Sequence, residues 1–378
     1  MKKTQNLIYS LIILLLFLAC ENGAEEEPKP NELIKNFSEQ FSLNKKWTKK
    51  IFKDLPSGKI KLSHDNNSIY VFSSSGEVQS ISLEGKINWK KNLSKSFSTG
   101  ISKGLDTLFL ASDNGKVYCL SKENGKLIWE TSIGGEILSP PVSNGDIVAI
   151  QSVDGRLTAL DSETGNFRWD YRSLVSNLSL RGTSEPAFHE GFLFVGFGNG
   201  NFAKIQPRSG VVQWEIPVTI SEETSEIGRL VDIDGNFSFS SGISFVASYQ
   251  GNISAIDIRN GRTIWREKTS SSDDVLASRG KVFISDEKDN ITAYEQTNGN
   301  ISWKNSDFFL RELTSPKRLK SLIVLGDFQG FVHLISQKDG SQLGRERVSR
   351  KGLINVEVIE DKVLALDRNG KLSLFLLQ

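Results

Sequence analysis

Few residues in this 378-residue chain have side chains suited to acid–base or metal chemistry. The three histidines, His64, His189 and His333, could ligate a metal or accept a proton. They lie far apart in the sequence, however, and they lack the i, i+4 spacing of a helical metal site. We therefore interpret each histidine as a surface or strand residue, and we expect no catalytic residue, no metal and no cofactor.

A second candidate for metal chemistry is the segment Asp232-Ile233-Asp234-Gly235-Asn236, which begins like a calcium-binding loop. Such a loop has Gly at its sixth position and Glu at its twelfth. The corresponding residues here are Phe237 and Ile243. Calcium binding is therefore not predicted.

Cysteine chemistry is confined to Cys20 and Cys119. Cys119 lies in the alternating run Lys116–Leu120, which predicts a strand carrying a buried free thiol rather than a redox centre. Cys20 directly follows Phe17-Leu18-Ala19, a sequence that resembles the lipobox at which bacterial lipoproteins are cleaved and acylated. We therefore predict lipidation at Cys20.

The segment before Cys20 has the features of an export signal. Lys2 and Lys3 precede an apolar run from Leu7 to Ala19, which is too short to span a membrane. An ordinary cleaved signal or an uncleaved anchor would also export the chain. Glu21, where Asp would favour retention in the inner membrane, places the lipid anchor in the outer membrane, on its periplasmic face.

These features predict three segments: a signal peptide over residues 1–19, a lipidated flexible linker over 20–44 and a folded unit over 45–378. The linker contains the charged, proline-containing stretch Glu25–Pro30, which has little to bury. The spacing of Leu33, Ile34, Phe37 and Phe41 allows a short helix within it. The chain has 46 basic and 45 acidic residues, so its charge gives no reason to expect nucleic-acid binding.

Seven tryptophans occupy one position of a sequence repeat. In the clear copies, a Gly opens an alternating strand and Trp follows fourteen residues later, as from Gly115 to Trp129. Gly330 to Gly344 keeps this spacing with Gly in the tryptophan position, so there are eight copies, about forty residues apart, a period typical of propellers and solenoids. The tryptophans are Trp47, Trp89, Trp129, Trp169, Trp214, Trp265 and Trp303.

Short alternating strands, separated by Asn-Gly, Asp-Gly and Thr-Gly turns, fill the space between these positions. Three strands follow Gly344, and the missing fourth is available around Trp47. We therefore predict an all-β fold, an eight-bladed β-propeller with four antiparallel strands per blade, in which the N-terminal strand completes the last blade and closes the ring. The tryptophans could stack on ligands, but one per blade favours packing between blades.

Two connections of the repeat are longer than the others. Trp89 to Gly104 spans 15 residues, whereas Trp169 to Gly191 spans 22 and Trp214 to Gly242 spans 28. In a propeller, connections from the outer strand of one blade to the inner strand of the next emerge on a single face, and insertions there commonly form a binding surface. We therefore predict the working surface at these two connections.

Endings such as Gly125-Lys126-Leu127-Ile128-Trp129 look like the docking motif of quinoprotein (PQQ-type) propellers. Within that superfamily the chain resembles the BamB family of outer-membrane assembly lipoproteins. Leu178-Ser179-Leu180-Arg181-Gly182 matches a family segment, and Glu226–Asp234 matches another, apart from Gly228 in place of Asp. Both segments fall inside the two long connections.

This resemblance implies a non-catalytic scaffold of the β-barrel assembly complex that binds the periplasmic (POTRA) domains of BamA. Leu178, Leu180, Arg181, Asp232 and Asp234 are then the partner-binding residues, with apolar anchors and a bidentate Arg. Alternatively, the leucines tuck under their loop and Arg181 pairs with Asp232 or Asp234. Unfolded outer-membrane proteins are further candidate partners, through strand addition at the outer blade edges.

Two other functions fit the same fold. A PQQ-dependent dehydrogenase shares it, but such enzymes usually carry adjacent cysteines and large insertions, and this chain has neither. A periplasmic propeller could also hold a small ligand in its central channel. Neither alternative explains the two family-specific segments, so the scaffold function is preferred.

Overall fold

The computed structural model describes residues 28–52, 60–173, 184–219 and 231–378. Within these residues it contains strands and no helix, and the strands form eight antiparallel sheets of four. The prediction of an eight-bladed β-propeller is confirmed. In blades 1 to 7 the four strands pair in chain order.

The strand bounds of the first four blades are as follows. Blade 1 comprises β2 (Ser63–His64), β3 (Ser68–Phe72), β4 (Glu77–Ser82) and β5 (Ile87–Asn92). Blade 2 comprises β6 (Ser102–Lys103), β7 (Thr107–Ala111), β8 (Lys116–Ser121) and β9 (Leu127–Ser132). Blade 3 comprises β10 (Val142–Ser143), β11 (Ile147–Gln151), β12 (Arg156–Asp161) and β13 (Phe167–Arg172). Blade 4 comprises β14 (Ala187–His189), β15 (Phe192–Gly196), β16 (Asn201–Ile205) and β17 (Val212–Pro217).

The other four blades complete the ring. Blade 5 comprises β18 (Ser238–Ser240), β19 (Ile243–Ala247), β20 (Gly251–Asp257) and β21 (Thr263–Thr269). Blade 6 comprises β22 (Leu276–Ser278), β23 (Lys281–Ser285), β24 (Ile291–Glu295) and β25 (Ile301–Asn305). Blade 7 comprises β26 (Lys317–Leu319), β27 (Leu322–Gly326), β28 (Phe331–Ser336) and β29 (Gln342–Arg347). Blade 8 comprises β30 (Leu353–Ile359), β31 (Lys362–Asp367), β32 (Lys371–Leu377) and the N-terminal strand β1 (Leu43–Lys50).

The first strands of neighbouring blades contact one another, so they surround the central axis, and the fourth strands form the rim. Connections between blades, together with the turns between second and third strands, therefore emerge on one face, which we call the loop face. The apolar core consists of eight clusters, one at each blade-to-blade interface. Because one cluster joins blade 8 to blade 1, the ring is closed.

Each tryptophan lies on the outer strand of one blade and packs against the last turn of the next. Trp129 shows the arrangement: its Nε1 donates to the carbonyl of Ser162 at 3.0 Å, and its ring covers Gly165. Gly165 has φ +72, and a Cβ there would approach the indole to 2.7 Å, so glycine is needed for both conformation and space. Burying an indole contributes at most roughly 4 to 6 kcal/mol at about 25 cal/mol per Å².

The same indole hydrogen bond recurs around the ring with one exception. Trp214 Nε1 is buried and has no hydrogen-bond partner among the described residues. In its place Lys204 Nζ donates to the carbonyl of Ile258, in the turn that Trp214 covers, at 2.9 Å. The other donors, each bonded to a carbonyl of the next blade, are Trp47, Trp89, Trp129, Trp169, Trp265 and Trp303.

Gly344 occupies the tryptophan position of blade 7 because that interface is built differently. The third and fourth strands of blade 8 come from opposite ends of the chain, so no turn joins them for an indole to cover. The N-terminal segment passes there instead, with the amides of Gln40 and Phe41 donating to the carbonyl of Leu343 at 2.8 and 3.1 Å. A Cβ on Gly344 would overlap the carbonyl oxygen of Phe41.

Residues 28–42 contain no helix, so the helix that the sequence allows here does not form. Their backbone groups bond to blades 6 and 7 instead of to each other. The amide of Asn31 donates to Phe309, and Arg345 donates to the carbonyl of Ile34 at 2.9 Å. The Arg345 guanidinium also stacks over Phe37. Tertiary hydrogen bonds thus replace the i to i−4 bonds of a helix.

Replacing Trp89 by Phe should lower the free energy of unfolding by about 1 kcal/mol more than replacing Trp214 by Phe. Both side chains are partly buried and both cover a turn glycine, but only Trp89 donates a hydrogen bond, to Lys122, at 3.0 Å. Loss of this hydrogen bond leaves the carbonyl of Lys122 without its indole donor. Urea denaturation of the two variants measures the difference. Equal losses would show that the indole contributes only through its packing.

Candidate functional site

The two long connections begin and end on the loop face, one between blades 3 and 4 and the other between blades 4 and 5. Leu178, Leu180 and Arg181 lie outside the described residues, as does the stretch 226–230 of the second family segment. Asp232 and Asp234, at the end of that segment, are described. The amide of Ser184 donates to the carbonyl of Ile233 at 3.1 Å, so the ends of the two connections are joined.

Asp232 is held firmly against blade 5. Its backbone forms a bridge with Tyr249, whose amide donates to the Asp232 carbonyl at 2.8 Å. The next residue, Ile233, is fully buried and packs onto Gly196 of blade 4. Asp232 itself is 1% exposed, whereas Asp234 is partly exposed. Asp234 is therefore the more exposed of the two residues, although its Oδ1 is buried.

Burial, together with the negative charge of Asp234, raises the pKa of Asp232 to about 8. Two carboxylates in one apolar site cannot both ionise without a large electrostatic cost, so the pair retains one proton at neutral pH. The structure therefore has a neutral acid beneath the loop face at the point where the two connections meet. From the sequence, both residues were expected at the binding surface, because a pattern of polar and apolar residues cannot show that the Asp232 side chain points inwards.

The Asp232 carboxyl should make the protein less stable as the pH rises from 5 to 8, and Asp232→Asn should remove this contribution to the slope. Asp232 has a higher pKa in the folded state than in the unfolded state, about 8 against about 3.9, so folding retains its proton. The free energy of unfolding therefore falls between these two pKa values. Thermal unfolding at a series of pH values gives the slope.

Asp161→Asn is the matched control for this measurement. Hydrogen bonds from Arg168 and Thr164 lower the pKa of Asp161 to about 2, so this carboxylate does not titrate between pH 5 and 8. The control should keep the slope of the unmodified protein. A slope unchanged in Asp232→Asn would show that Asp232 does not hold the proton.

A cavity of about 440 Å³ lies on the axis among the first strands of several blades. Its charged residues pair across the ring: Lys61 with Glu185 at 2.6 Å, and Lys317 with Glu357 at 3.1 Å and Asp274 at 3.3 Å. Burial acts to lower the pKa of Lys317, but the two carboxylates outweigh it and raise it, so the lysine stays charged. These ion pairs connect blades 1, 4, 6, 7 and 8.

The described residues do not fit a quinone cofactor held by a metal ion. They contain no group of three or more His, Cys, Asp or Glu side chains placed to hold a metal. The acids Glu185, Asp274 and Glu357 of the cavity region are paired with lysines. Coordinating a divalent cation would first require breaking these ion pairs.

No Gly-x-Ser-x-Gly nucleophile elbow was expected from the sequence, but the spacing of that motif does occur at Ser102. Gly100-Ile101-Ser102-Lys103-Gly104 matches the Gly-x-Ser-x-Gly pattern of hydrolases, in which the serine sits on a strand-to-helix turn. Here Ser102 lies in the two-residue strand β6, and no helix follows it in the described chain. Its hydroxyl donates to the carbonyl of Pro141. Ser102 therefore joins two blades.

His333 lies in an enclosed charge cluster of blade 7. Its Nε2 lies 3.1 Å from Asp327 Oδ2, which also accepts from Arg311 Nη2 at 2.6 Å. All three side chains are at most 2% exposed, and Arg311 Nη1 donates to the carbonyl of Asn31 at 2.7 Å. Substrate cannot reach the imidazole, so the cluster holds the N-terminal segment against blade 7.

The other residues considered for acid–base or thiol chemistry lie in strands, as expected from the sequence. His64 and His189 lie in strands β2 and β14. The thiol of Cys119 is buried, and burial raises its pKa to about 12, so it is unreactive. Across the described residues, no helix has the length and apolar character needed to cross a membrane.

The rim strands are poor templates for strand addition. Each of the eight has a register irregularity beside its tryptophan position, as between Lys45 and Trp47 in β1. Charged side chains also line the edges, for example Lys90 and Lys91 in β5, and Pro217 ends β17. Such irregularities and edge charges are the features that prevent pairing with further strands.

The closed ring of eight sheets and the repeated tryptophan docking define a propeller of the quinoprotein type. The family model described as outer membrane protein assembly factor BamB matches residues 74–305. The chain belongs to this BamB family. It is 36% identical to outer membrane protein assembly factor BamB of Pseudomonas aeruginosa, over 96% of each chain.

Solved structures with the same fold include both an assembly factor and an enzyme. The crystal structure of BamB from Moraxella catarrhalis matches with a TM-score of 0.82 at 23% identity, covering 89% of this chain and 100% of that one. A quinohemoprotein alcohol dehydrogenase from Pseudomonas putida matches with a TM-score of 0.66 at 12% identity, covering 92% and 78%. At these identities the likeness concerns the fold alone.

Proposed function

We propose that this protein is a non-catalytic scaffold lipoprotein of the outer-membrane β-barrel assembly complex, which binds the periplasmic domains of BamA. The observation that carries the proposal is the junction of the two long connections on the loop face, where Ser184 bonds to Ile233. Family membership supports a role in outer-membrane protein assembly. The scaffold would support folding and insertion of outer-membrane proteins by positioning BamA.

The proposed interface combines rigid support with accessible contacts. Ile233 and Asp232 are buried and fix the end of the second connection to blades 4 and 5, so the interface would have rigid support at that end. Leu178 and Leu180 would supply apolar anchors, Arg181 would supply a bidentate donor, and Asp234 would contribute a carboxylate. Energy in protein interfaces is concentrated in a few such anchors.

A catalytic role has no support in the described residues. The cavity carboxylates are paired with lysines, Ser102 donates its hydroxyl to a backbone carbonyl, and His333 is enclosed. The relatives that match are named as assembly factors. The proposal therefore assigns the fold to protein binding and not to a dehydrogenase reaction or to small-ligand binding.

We further propose that residues 1–19 are removed and that lipid on Cys20 anchors the chain to the periplasmic face of the outer membrane. Several acyl chains on one cysteine, at roughly 0.8 kcal/mol per buried CH₂, would make the anchor durable. Direct contact with unfolded outer-membrane proteins is not part of the proposal, since the rim strands oppose strand addition.

Leu178→Ala combined with Arg181→Ala should abolish capture of the chain by immobilised BamA periplasmic domains. Truncating two anchors of one interface typically weakens binding more than a hundredfold. Leu105→Ala with Arg208→Ala is the matched control, since both residues are exposed and lie in turns opposite the loop face. Undiminished capture of the first variant, with an unchanged circular dichroism spectrum, would remove the interface assignment.

Cys20→Ser should eliminate incorporation of labelled palmitate and move the protein from the outer-membrane fraction to the soluble fraction. Ser cannot accept the thioether-linked lipid, while the propeller, which begins at Leu43, is unaffected. Cys119→Ser is the control, because its buried thiol should leave labelling intact. Labelling that persists in Cys20→Ser would refute the anchor.

A further inference from the structure

A groove of about 690 Å³ lies between the outer parts of blades 7 and 8, opening on the loop face. It is formed by the connection from β29 to β30, the turn between β31 and β32, and one side of β1. We call it the basic groove because five of its lining residues are cationic: Lys45, Arg347, Arg350, Lys351 and Lys371. All five are exposed.

The positive charge of the basic groove is not neutralised from within. None of the five forms an ion pair with another described residue at 4.0 Å or less. Asp367 is buried and is occupied by the amides of Asn369 and Lys371 and by the hydroxyl of Ser349. Glu346 interacts electrostatically with Lys45 but forms no ion pair with it, and Glu39 lies near Glu346.

This charge excess is local. The whole chain carries a formal net charge of only +1. Elsewhere on the loop face, cations meet carboxylates: Arg172 pairs with Asp154 at 3.3 Å, and Lys95 with Glu130 at 2.9 Å. Five neighbouring cations that form no ion pair within the described parts of the chain therefore indicate that the anion comes from another molecule.

The position of the N-terminal segment indicates where that anion lies. The described chain enters at the loop face of blades 6 and 7, where Asn31 bonds to Phe309 and Arg311. Pro28 lies eight residues after Cys20, and a fully extended segment of eight residue steps spans at most about 29 Å. A lipid on Cys20 would thus keep this edge of the ring close to the membrane surface.

We propose that the basic groove binds phosphate-bearing headgroups of the membrane to which the chain is tethered. The proposal rests on the lipid anchor proposed above, and it adds a second membrane contact. Together the two contacts would fix the loop face of blades 7 and 8 against the membrane. The proposed BamA surface, at blades 3 to 5, then lies on the far side of the ring. Each cation near an anionic surface strengthens binding roughly fivefold.

Sedimentation with vesicles tests the proposal on the chain that begins at Glu21, produced without lipid so that only protein groups can bind. This chain contains every strand of the propeller. It should bind vesicles of phosphatidylcholine with 30% phosphatidylglycerol and not vesicles of phosphatidylcholine alone. Arg350→Glu with Lys351→Glu should lower the partition coefficient at least tenfold, and added salt should weaken binding of the unmodified chain.

Lys268→Glu with Lys304→Glu is the matched control, because it makes the same change in charge at exposed positions on the rim strands of blades 5 and 6. It should bind as the unmodified chain does. Lys45→Gln with Lys371→Gln should weaken binding even if the first variant does not fold. Equal binding by all folded variants would overturn the proposal.

Two further results distinguish headgroup binding from binding of free phosphate and from a role of the groove in the BamA interface. Displacement by inorganic phosphate, beyond the effect of matched ionic strength, would show that the groove binds free phosphate and would overturn the membrane contact. BamA capture by Arg350→Glu with Lys351→Glu should be unchanged. Loss of capture in that variant would place the groove in the BamA interface, whereas failure of the vesicle assay alone would leave the proposed function intact.

Discussion

The structure depends on one repeated contact, an indole on the rim strand of seven of the eight blades that covers the last turn of the next blade. Each contact joins two blades through apolar area, and in six of seven cases also through a hydrogen bond from Nε1 to a backbone carbonyl. A four-stranded sheet cannot bury both faces alone. The docking contacts therefore make the blades mutually dependent, and a closed ring is the arrangement that leaves no blade face uncovered.

Closure places a special demand on the interface between blades 7 and 8. Blade 8 joins the two ends of the chain, so it has no turn between β32 and β1 for an indole to cover. The segment before β1 fills that space and Gly344 makes room for it. Arg311, which is paired with Asp327, donates to the carbonyl of Asn31 and so fixes an earlier part of the same segment. The basic groove opens at this interface, and the proposed tether leaves the fold beside it, at the loop face of blades 6 and 7.

Rigid blades allow the loop face to carry different surfaces at different positions. The connections next to blade 4 end on buried residues, Ile233 and Asp232, so a surface formed there is supported from beneath. The proton retained by Asp232 and Asp234 limits the electrostatic cost of placing two carboxylates in that support. Across the ring, the five cations of the basic groove form no ion pair with another described residue. Binding thus resides in connections, while stability resides in the repeats.

The sequence alone determined the number of blades, the tryptophan positions and the completion of the last blade by the N-terminal strand, because repeats at a fixed spacing report local structure that each copy forms in the same way. It also located the two long connections. Only the tertiary structure decided that Asp232 points inwards, that Gly344 faces Phe41, that residues 28–42 bond to blades 6 and 7 instead of forming a helix, and that Lys45 meets Arg350 in one groove. These features join residues distant in the chain, and their side-chain environments arise only when the ring closes.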